Sequence, residues 1–143
     1  MTTRKHFTRR LSGIALGTAA VILSGWALAG DVQVKLGGDQ EVPPVTTSAT
    51  GSGTITINDD KSVSGSVTTS GVDGVAAHIH NGAPGKNGPV IVPMSKTADN
   101  TWSVGAGAKL TDAQYADFKA GNLYVNVHSA ANKGGEIRGQ LKP

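Results

Sequence analysis

The stretch LYVNVHSAANKGGEIRGQL, residues 123–141, alternates apolar and polar side chains on both sides of a glycine-rich turn. Successive side chains of a β-strand point to opposite faces, so the pattern predicts two strands, Leu123 to His128 and Gly135 to Leu141. Each strand has one apolar face and one face of His, Asn, Glu, Arg or Gln. An apolar strand face needs a core to cover it, and we expect both strands to belong to an antiparallel sheet.

Short β-branched stretches separated by turn residues recur along the rest of the chain. They predict further strands at Val32 to Leu36, Gly51 to Ile57, Ser62 to Thr69, Ala76 to His80, Val90 to Pro93 and Thr101 to Val104. One short helix is expected near residues 111–120, because Thr111 to Gln114 has the form of a capping box and Gly121 is a typical helix stop. The predicted fold is all-β: an antiparallel, Greek-key-like β-sandwich of about eight strands with one short helix.

The first 29 residues have the order of a secretory signal peptide. MTTRKHFTRR contains four of the 13 Lys and Arg residues and no acidic residue, and an apolar run, Leu11 to Leu28, follows it. Ala27-Leu28-Ala29 supplies the small-residue cleavage site. We therefore expect residues 1–29 to be removed and residues 30–143 to form one periplasmic or secreted domain without a membrane span. The export route, general secretion or twin-arginine, stays open.

The composition of residues 30–143 excludes several classes of protein. Nine Lys and Arg residues stand against ten Asp and Glu residues, with no basic block, so the domain lacks the features of a nucleic-acid-binding protein. The chain contains no cysteine, which excludes disulfides, cysteine metal ligands and lipid attachment through a thiol. No Ser-His-Asp or Cys-His arrangement is present among its motifs, and we assign no catalytic residue.

The segment AAHIHNGAPGKNGPV, residues 76–90, places His78 and His80 on the same face of one predicted strand. His128 lies on the polar face of another strand, and imidazole is a common ligand of zinc and copper. We predict that His78, His80 and His128 hold a copper or zinc ion. Glu136 is expected to be a fourth ligand or to accept the outer N–H of a ligating histidine. The alternative is that these side chains are hydrogen-bonded structural groups or contact an envelope protein partner.

Three segments in order resemble the CHRD domain, the module repeated in chordin and found singly in exported bacterial proteins. They are LGGDQEVPPVTTSATG, AAHIHNGAPGKNGPV and LYVNVHSAANKGGEIRGQL, and the resemblance spans Val34 to Leu141. It implies an extracytoplasmic β-sandwich with no established enzymatic activity.

A weaker similarity, to copper/zinc superoxide dismutases, rests on the strand His-x-His and on Gly134-Gly135-Glu136-Ile137-Arg138. Those enzymes use more histidines and a disulfide, so this resemblance implies a metal-binding corner rather than the reaction. Three hypotheses follow: an exported binding module for a metal ion or partner, a dismutase-like metalloenzyme, and an envelope structural domain without metal.

Overall fold

The computed structural model describes residues 30–143, and the predicted signal peptide lies outside the described residues. The regular secondary structure of the described chain is almost entirely antiparallel β-strand, which confirms the predicted all-β antiparallel fold class. Its strands are β1 (Asp31–Gly37), β2 (Thr50–Ile57), β3 (Val63–Ser70), β4 (Gly74–Asn81), β5 (Val90–Ala98), β6 (Thr101–Val104), β7 (Leu123–Ser129) and β8 (Ile137–Leu141). One α-helix, α1 (Asp112–Lys119), and one turn of 3₁₀ helix, Gly38–Gln40, complete the described elements. All eight predicted strands are present. β5 extends to Ala98, well beyond the predicted end at Pro93.

The eight strands close into one barrel in the order β1-β2-β3-β6-β5-β4-β7-β8. β4, β5 and β6 are consecutive antiparallel neighbours, and β7 returns along the free side of β4. Three sequential strands with a fourth beside the first make a Greek key, as the sequence predicted. The return brings β7, which carries His128, directly against β4, which carries His78 and His80.

The interior of the barrel is apolar because alternate residues of the strands point inward. In β1 the buried and exposed positions alternate without exception from Asp31 to Leu36. Ile55, Val67, Ile79 and Val125 are fully buried members of one hydrophobic cluster. Burying each such side chain contributes about 1.5–3 kcal/mol to folding, and this cluster therefore fixes the register of every strand.

The helix α1 lies in the long connection between β6 and β7. The Thr111 side chain accepts from the Gln114 backbone N–H, and the Gln114 side chain accepts from the Thr111 backbone N–H, so the predicted capping box is present. Phe118 is 1 % exposed and joins the core, with Tyr115 partly buried beside it. Gly121 follows the helix with a φ of 79°, a conformation that glycine adopts without strain.

A second buried layer lies on the outer face of β7 and β8. Tyr124, Asn126 and Arg138 are 2 %, 2 % and 1 % exposed, although their neighbours in sequence point into the core. The loop of residues 82–89 covers Tyr124 and Arg138, and Asn126 lies against residues 134–135. Asn87 Nδ2 links this loop to the β1–β2 connection by donating to Val42 O (2.7 Å). The polar strand face predicted from the alternation is therefore buried at these three positions.

The seam between β1 and β8 has a single ladder pair, Gly37 with Arg138. Next to it, the carboxamide of Gln40 joins the two strands. Gln40 Nε2 donates to Lys35 O (3.1 Å) and Gln40 Oε1 accepts from Gln140 N (3.2 Å). A side-chain amide thus occupies the place of a peptide group at the point where the barrel closes.

Candidate metal centre

The three histidines of the described chain converge on adjacent strands. His78 pairs with Asn126 and Ala76 pairs with His128, so His78 and His128 are diagonal cross-strand neighbours. His80 lies two residues further along β4 on the same face. The ring centroid of His78 lies 4.9 Å from that of His128 and 5.6 Å from that of His80. We call His78, His80 and His128 the histidine cluster.

The ligand atoms of the histidine cluster are close enough to share an ion. One nitrogen from each ring lies within 4.8 Å of the other two, and His78 Nδ1 is 3.1 Å from His128 Nε2. Nitrogens about 3–3.5 Å apart fit a tetrahedral site with metal–nitrogen bonds of about 2.0–2.1 Å. Among residues 30–143, no other set of three or more His, Asp or Glu side chains has this proximity.

Backbone carbonyls set the tautomers of two of the rings. His80 Nδ1 lies 2.9 Å from Gly88 O, and His128 Nδ1 lies 2.8 Å from Lys133 O. A carbonyl oxygen can only accept, so in the neutral rings each Nδ1 carries a proton and each Nε2 carries the lone pair. Metal-ligating histidines characteristically donate their other ring N–H in this way.

His80 Nε2 has no hydrogen-bond partner within residues 30–143 although His80 is only 8 % exposed. A buried polar atom without a partner costs about 1–3 kcal/mol, and such atoms are uncommon in folded proteins. In the neutral cluster, His78 Nδ1 donates to His128 Nε2, which satisfies that pair. Glu41 Oε1, Trp102 Nε1 and Asn126 Oδ1 also lack a partner among residues 30–143, but of these four residues only His80 lies in a group of converging metal-ligand side chains. The unpartnered lone pair together with this convergence points to a ligand.

The electrostatic surroundings of His78 and His80 favour the neutral form of both rings. Burial is the largest cause that lowers the pKa of His78, followed by the charges that His128 and His80 would carry. Burial is also the largest cause that lowers the pKa of His80, while its hydrogen bond to Gly88 and the nearby Asn126 side chain act in the opposite direction. Asn126 forms no hydrogen bond with His80 Nε2 in the structure, and its Oδ1 is itself unpartnered. Since neutral imidazole is the form that binds metal, both shifts favour ligation over protonation.

His80 is one end of a three-layer stack that the sequence did not reveal. Its ring is parallel to that of Tyr124, with an interplanar angle of 7° and centroids 4.8 Å apart. On the Tyr124 ring lies the Arg138 guanidinium, whose Cζ is 3.5 Å from the ring centroid. The alternation places Tyr124 and Arg138 on polar strand faces, but only the barrel closure and the covering loop bring them into contact with each other and with His80.

Glu136 does not lie with the histidines. Its carboxylate accepts from Thr47 Oγ1 (3.0 Å), Ser129 Oγ (2.7 Å) and Asn132 Nδ2 (3.0 Å), and we call these four residues the Glu136 cluster. The hydrogen bond from Ser129 is the largest cause that lowers the Glu136 pKa; burial opposes it, and the bonds from Asn132 and Thr47 lower it further.

A β-bulge explains the different direction of Glu136. The Glu136 backbone N–H donates to Val127 O (2.8 Å), while the ladder pairs Val127 with Ile137. Two consecutive residues thus oppose one, and the strict alternation that would place Glu136 beside His128 is broken. Gly135, with a φ of 126°, permits this backbone path.

Glu41 is a buried carboxyl that the sequence analysis did not single out. It is 4 % exposed, and its Oε1 has no partner within the described residues. Burial raises its pKa to about 7, against the opposing effects of the Arg138 charge and an Asn126 hydrogen bond. Nothing local in GDQEVPP marks this position as buried, because residues distant in sequence form the layer around it.

The histidine cluster opens to the surface on one side. His78 and His128 border a shallow depression together with Val75, Ala76, Ser129, Ala130 and Lys133. Val75 is 59 % exposed, which leaves an apolar rim beside the two rings.

Residues 30–143 contain no helix with the length and apolar character to cross a membrane.

Fold and site together define a class: a Greek-key β-barrel with three histidines on adjacent strands under a glycine-rich loop. The family model of the CHRD domain matches residues 32–141, nearly all of the described chain. The chain belongs to the CHRD domain family. No curated protein and no solved structure matches the chain.

Proposed function

We propose that this CHRD domain protein is an exported binding module that holds a copper or zinc ion through His78, His80 and His128. The observation that carries the proposal is the buried, unpartnered Nε2 of His80, whose other nitrogen is bonded to Gly88 O. Imidazole nitrogens suit both copper and zinc. In this proposal Glu136 supports the fold beside the site, since three donors already surround its carboxylate.

The three nitrogens would leave one coordination position on the side of the surface depression. A position of this kind takes water, a small ligand or a side chain of an envelope protein partner. It is also what a dismutase-like enzyme requires, and superoxide turnover by the copper-loaded protein would favour that second function. A metal-loaded protein without turnover supports the binding module.

Export is the other half of the proposal. The basic start, the apolar run and Ala27-Leu28-Ala29 favour cleavage after Ala29 and a periplasmic or secreted location. N-terminal sequencing of the exported protein should give Gly30 as the first residue. A protein that keeps Met1 and stays in the membrane fraction would contradict this part of the proposal.

Metal titration tests the site directly. Copper(I), copper(II) and zinc are titrated, in competition with a chelator of known affinity, into tag-free protein and its His78→Ala, His80→Ala and His128→Ala variants at pH 7.5. We expect one ion per chain and a large loss of affinity in each variant. Gln33→Ala, an exposed β1 substitution, is the matched control. Equal affinity in all four variants and the wild type would exclude the shared site and favour a metal-free interaction domain.

A further inference from the structure

We propose that Arg138 is the positioning residue of the histidine cluster: it holds the loop of residues 82–89 and, through Gly88 of that loop, fixes His80 as a metal ligand. The inference rests on the function proposed above. Arg138 makes no contact with an ion in this scheme. It acts through two groups that touch His80, the Gly88 carbonyl and the Tyr124 ring.

Arg138 gathers the covering loop with its guanidinium. Nη1 donates to Lys86 O (2.9 Å) and, at the limit of hydrogen bonding, to Asn87 Oδ1 (3.5 Å), and Nη2 donates to Ala83 O (3.0 Å). Nη2 also donates to Gln140 Oε1 (3.1 Å) of the same strand. Arg138 is the one buried Lys or Arg of residues 30–143. Its planar, always charged head can bond several acceptors at once, which a lysine ammonium at the same place cannot reproduce.

The loop that Arg138 holds delivers Gly88 to His80. Gly88 O accepts from His80 Nδ1, and Gly88 N donates to Tyr124 Oη (3.1 Å), so both backbone groups of Gly88 are fixed. The path is tight: a Cβ on Gly88 would lie 1.6 Å from Asn81 O, closer than any side chain allows. The position of Gly88 O is therefore determined by the loop as a whole and not by local flexibility.

A second route runs through the stack. Arg138 lies on one face of the Tyr124 ring, where a cation is attracted to the aromatic π-system, and His80 lies parallel to the same ring. The guanidinium thus holds both the hydrogen-bond acceptor of His80 Nδ1 and the surface on which the His80 ring rests. The two constraints together fix the ring plane and the tautomer.

The tautomer is the property that matters for the metal. With Gly88 O in place, the proton stays on Nδ1 and the Nε2 lone pair is free. When the loop shifts, either nitrogen can carry the proton, and the tautomer with Nε2–H presents a proton to the ion. Loss of such an outer hydrogen-bond partner typically lowers metal affinity about 10–100-fold.

The test measures the His80 tautomer and the metal affinity separately. Nitrogen NMR of metal-free, tag-free protein reports which His80 nitrogen is protonated, and chelator competition gives the affinity. We expect Arg138→Lys to shift His80 from Nδ1–H towards a mixture and to weaken metal binding about 10–100-fold. Tyr124→Phe keeps the ring and removes only the acceptor of Gly88 N–H, so it should give the same changes at smaller size.

Controls separate positioning from general destabilisation. Ile55→Val removes one methylene group from the core on β2, outside the loop of residues 82–89. It should change neither the His80 tautomer nor the metal affinity. Should Arg138→Lys fail to fold, Tyr124→Phe decides. The inference is wrong if the wild type binds metal and the folded variants keep both the wild-type tautomer and the wild-type affinity. A wild type that binds no metal refutes the proposed function itself, and its titration alone reveals this.

Discussion

The histidine cluster and the Glu136 cluster are neighbours at one end of β7, yet they treat their polar atoms in opposite ways. The Glu136 carboxylate receives three hydrogen bonds from its own chain, and both of its oxygens are used. In the histidine cluster, two rings are tied to carbonyls through Nδ1, and His80 keeps an unpartnered Nε2. Both groups looked like metal ligands in the sequence.

The difference teaches that internal satisfaction separates a structural polar group from a binding group. A carboxylate that accepts from three donors would have to lose those bonds before it could bind a metal, which makes ligation unfavourable. The lone pair of His80 has no hydrogen bond to lose when an ion binds, and binding would remove the cost of leaving it unpartnered. His128 Nε2 would exchange one hydrogen bond, from His78, for a metal–nitrogen bond. Substitutions in either cluster test this distinction.

The largest expected effect is on metal affinity in His80→Ala. Removing the preoriented Nε2 should weaken binding about 100-fold or more, equivalent to about 2.7 kcal/mol. Glu136→Gln, in the same titration, should weaken binding much less because Glu136 is not among the converging ligands. Equal losses in the two variants would show that the two clusters form one site after all.

Glu41 provides the next largest effect, in the pH dependence of stability. Its folded pKa is raised from 4.5 to about 7, so the folded protein binds a proton that the unfolded chain has released between those values. Stability is therefore full below pH 4.5 and falls as pH rises to 7, by a loss on the order of 2–3 kcal/mol from this group.

Glu41→Gln should remove that slope. Urea unfolding at pH 5, 6 and 7 compares the variant with the wild type, and Asp39→Asn, an exposed carboxyl two residues away, serves as the control. Like His80 Nε2, Glu41 Oε1 lacks a partner, but no converging ligands surround it. A parallel pH dependence in wild type and Glu41→Gln would contradict the assignment of the slope to this residue.

Glu136→Gln should lower the free energy of unfolding by about 1–2 kcal/mol at pH 7, because an amide nitrogen then faces donors that need an acceptor. The lowered Glu136 pKa adds a pH signature of the opposite sign to that of Glu41. Its contribution is present above the unfolded pKa and is lost as pH falls through the lower folded pKa. The difference between wild type and Glu136→Gln should therefore shrink in acid, as denaturant titrations would show. A constant difference from pH 7 down to pH 2 would contradict it.

The smallest effect is expected in Thr47→Val, which removes one of the three donors to Glu136 and keeps the shape of the side chain. Two donors to Glu136 remain, but the buried Ala49 N–H also loses the Thr47 hydroxyl as its acceptor, so the loss of stability should be about 1 kcal/mol, measured by chemical unfolding. Metal affinity should stay at the wild-type value. A clear loss of affinity in Thr47→Val would link the two clusters and weaken the distinction between them.

Local patterns in the sequence predicted the strands, the helix and the shared face of His78 and His80. The alternation in LYVNVHSA and the capping box at Thr111 depend on neighbours in the chain, and the structure has both. The convergence of His128 followed from one long-range condition, that β4 and β7 are adjacent, and they are.

Features set by long-range packing could not be predicted from the sequence. The bulge at Glu136 turns its side chain away from the expected face. The sequence gives no sign of this bulge, because its pattern of apolar and polar residues continues through Glu136 without a gap. The burial of Glu41 and the contacts of Arg138 depend on how two loops, residues 41–47 and 82–89, fold over the outer face of β7 and β8. An isolated polar residue carries no signal of such a cover, because the contacts that form it join residues 45 and 52 positions apart in the sequence.

The Gln40 carboxamide at the β1–β8 seam has a consequence for amide hydrogen exchange. β4 and β7 share seven paired positions, whereas β1 and β8 share one pair and this side-chain bridge. Local opening follows the least tied ladder, so the amides along β1 that face β8 should exchange with solvent well before those between β4 and β7. The strand pair that carries all three histidines would then be among the last parts of the barrel to open, which keeps their spacing intact through the commonest fluctuations of the fold.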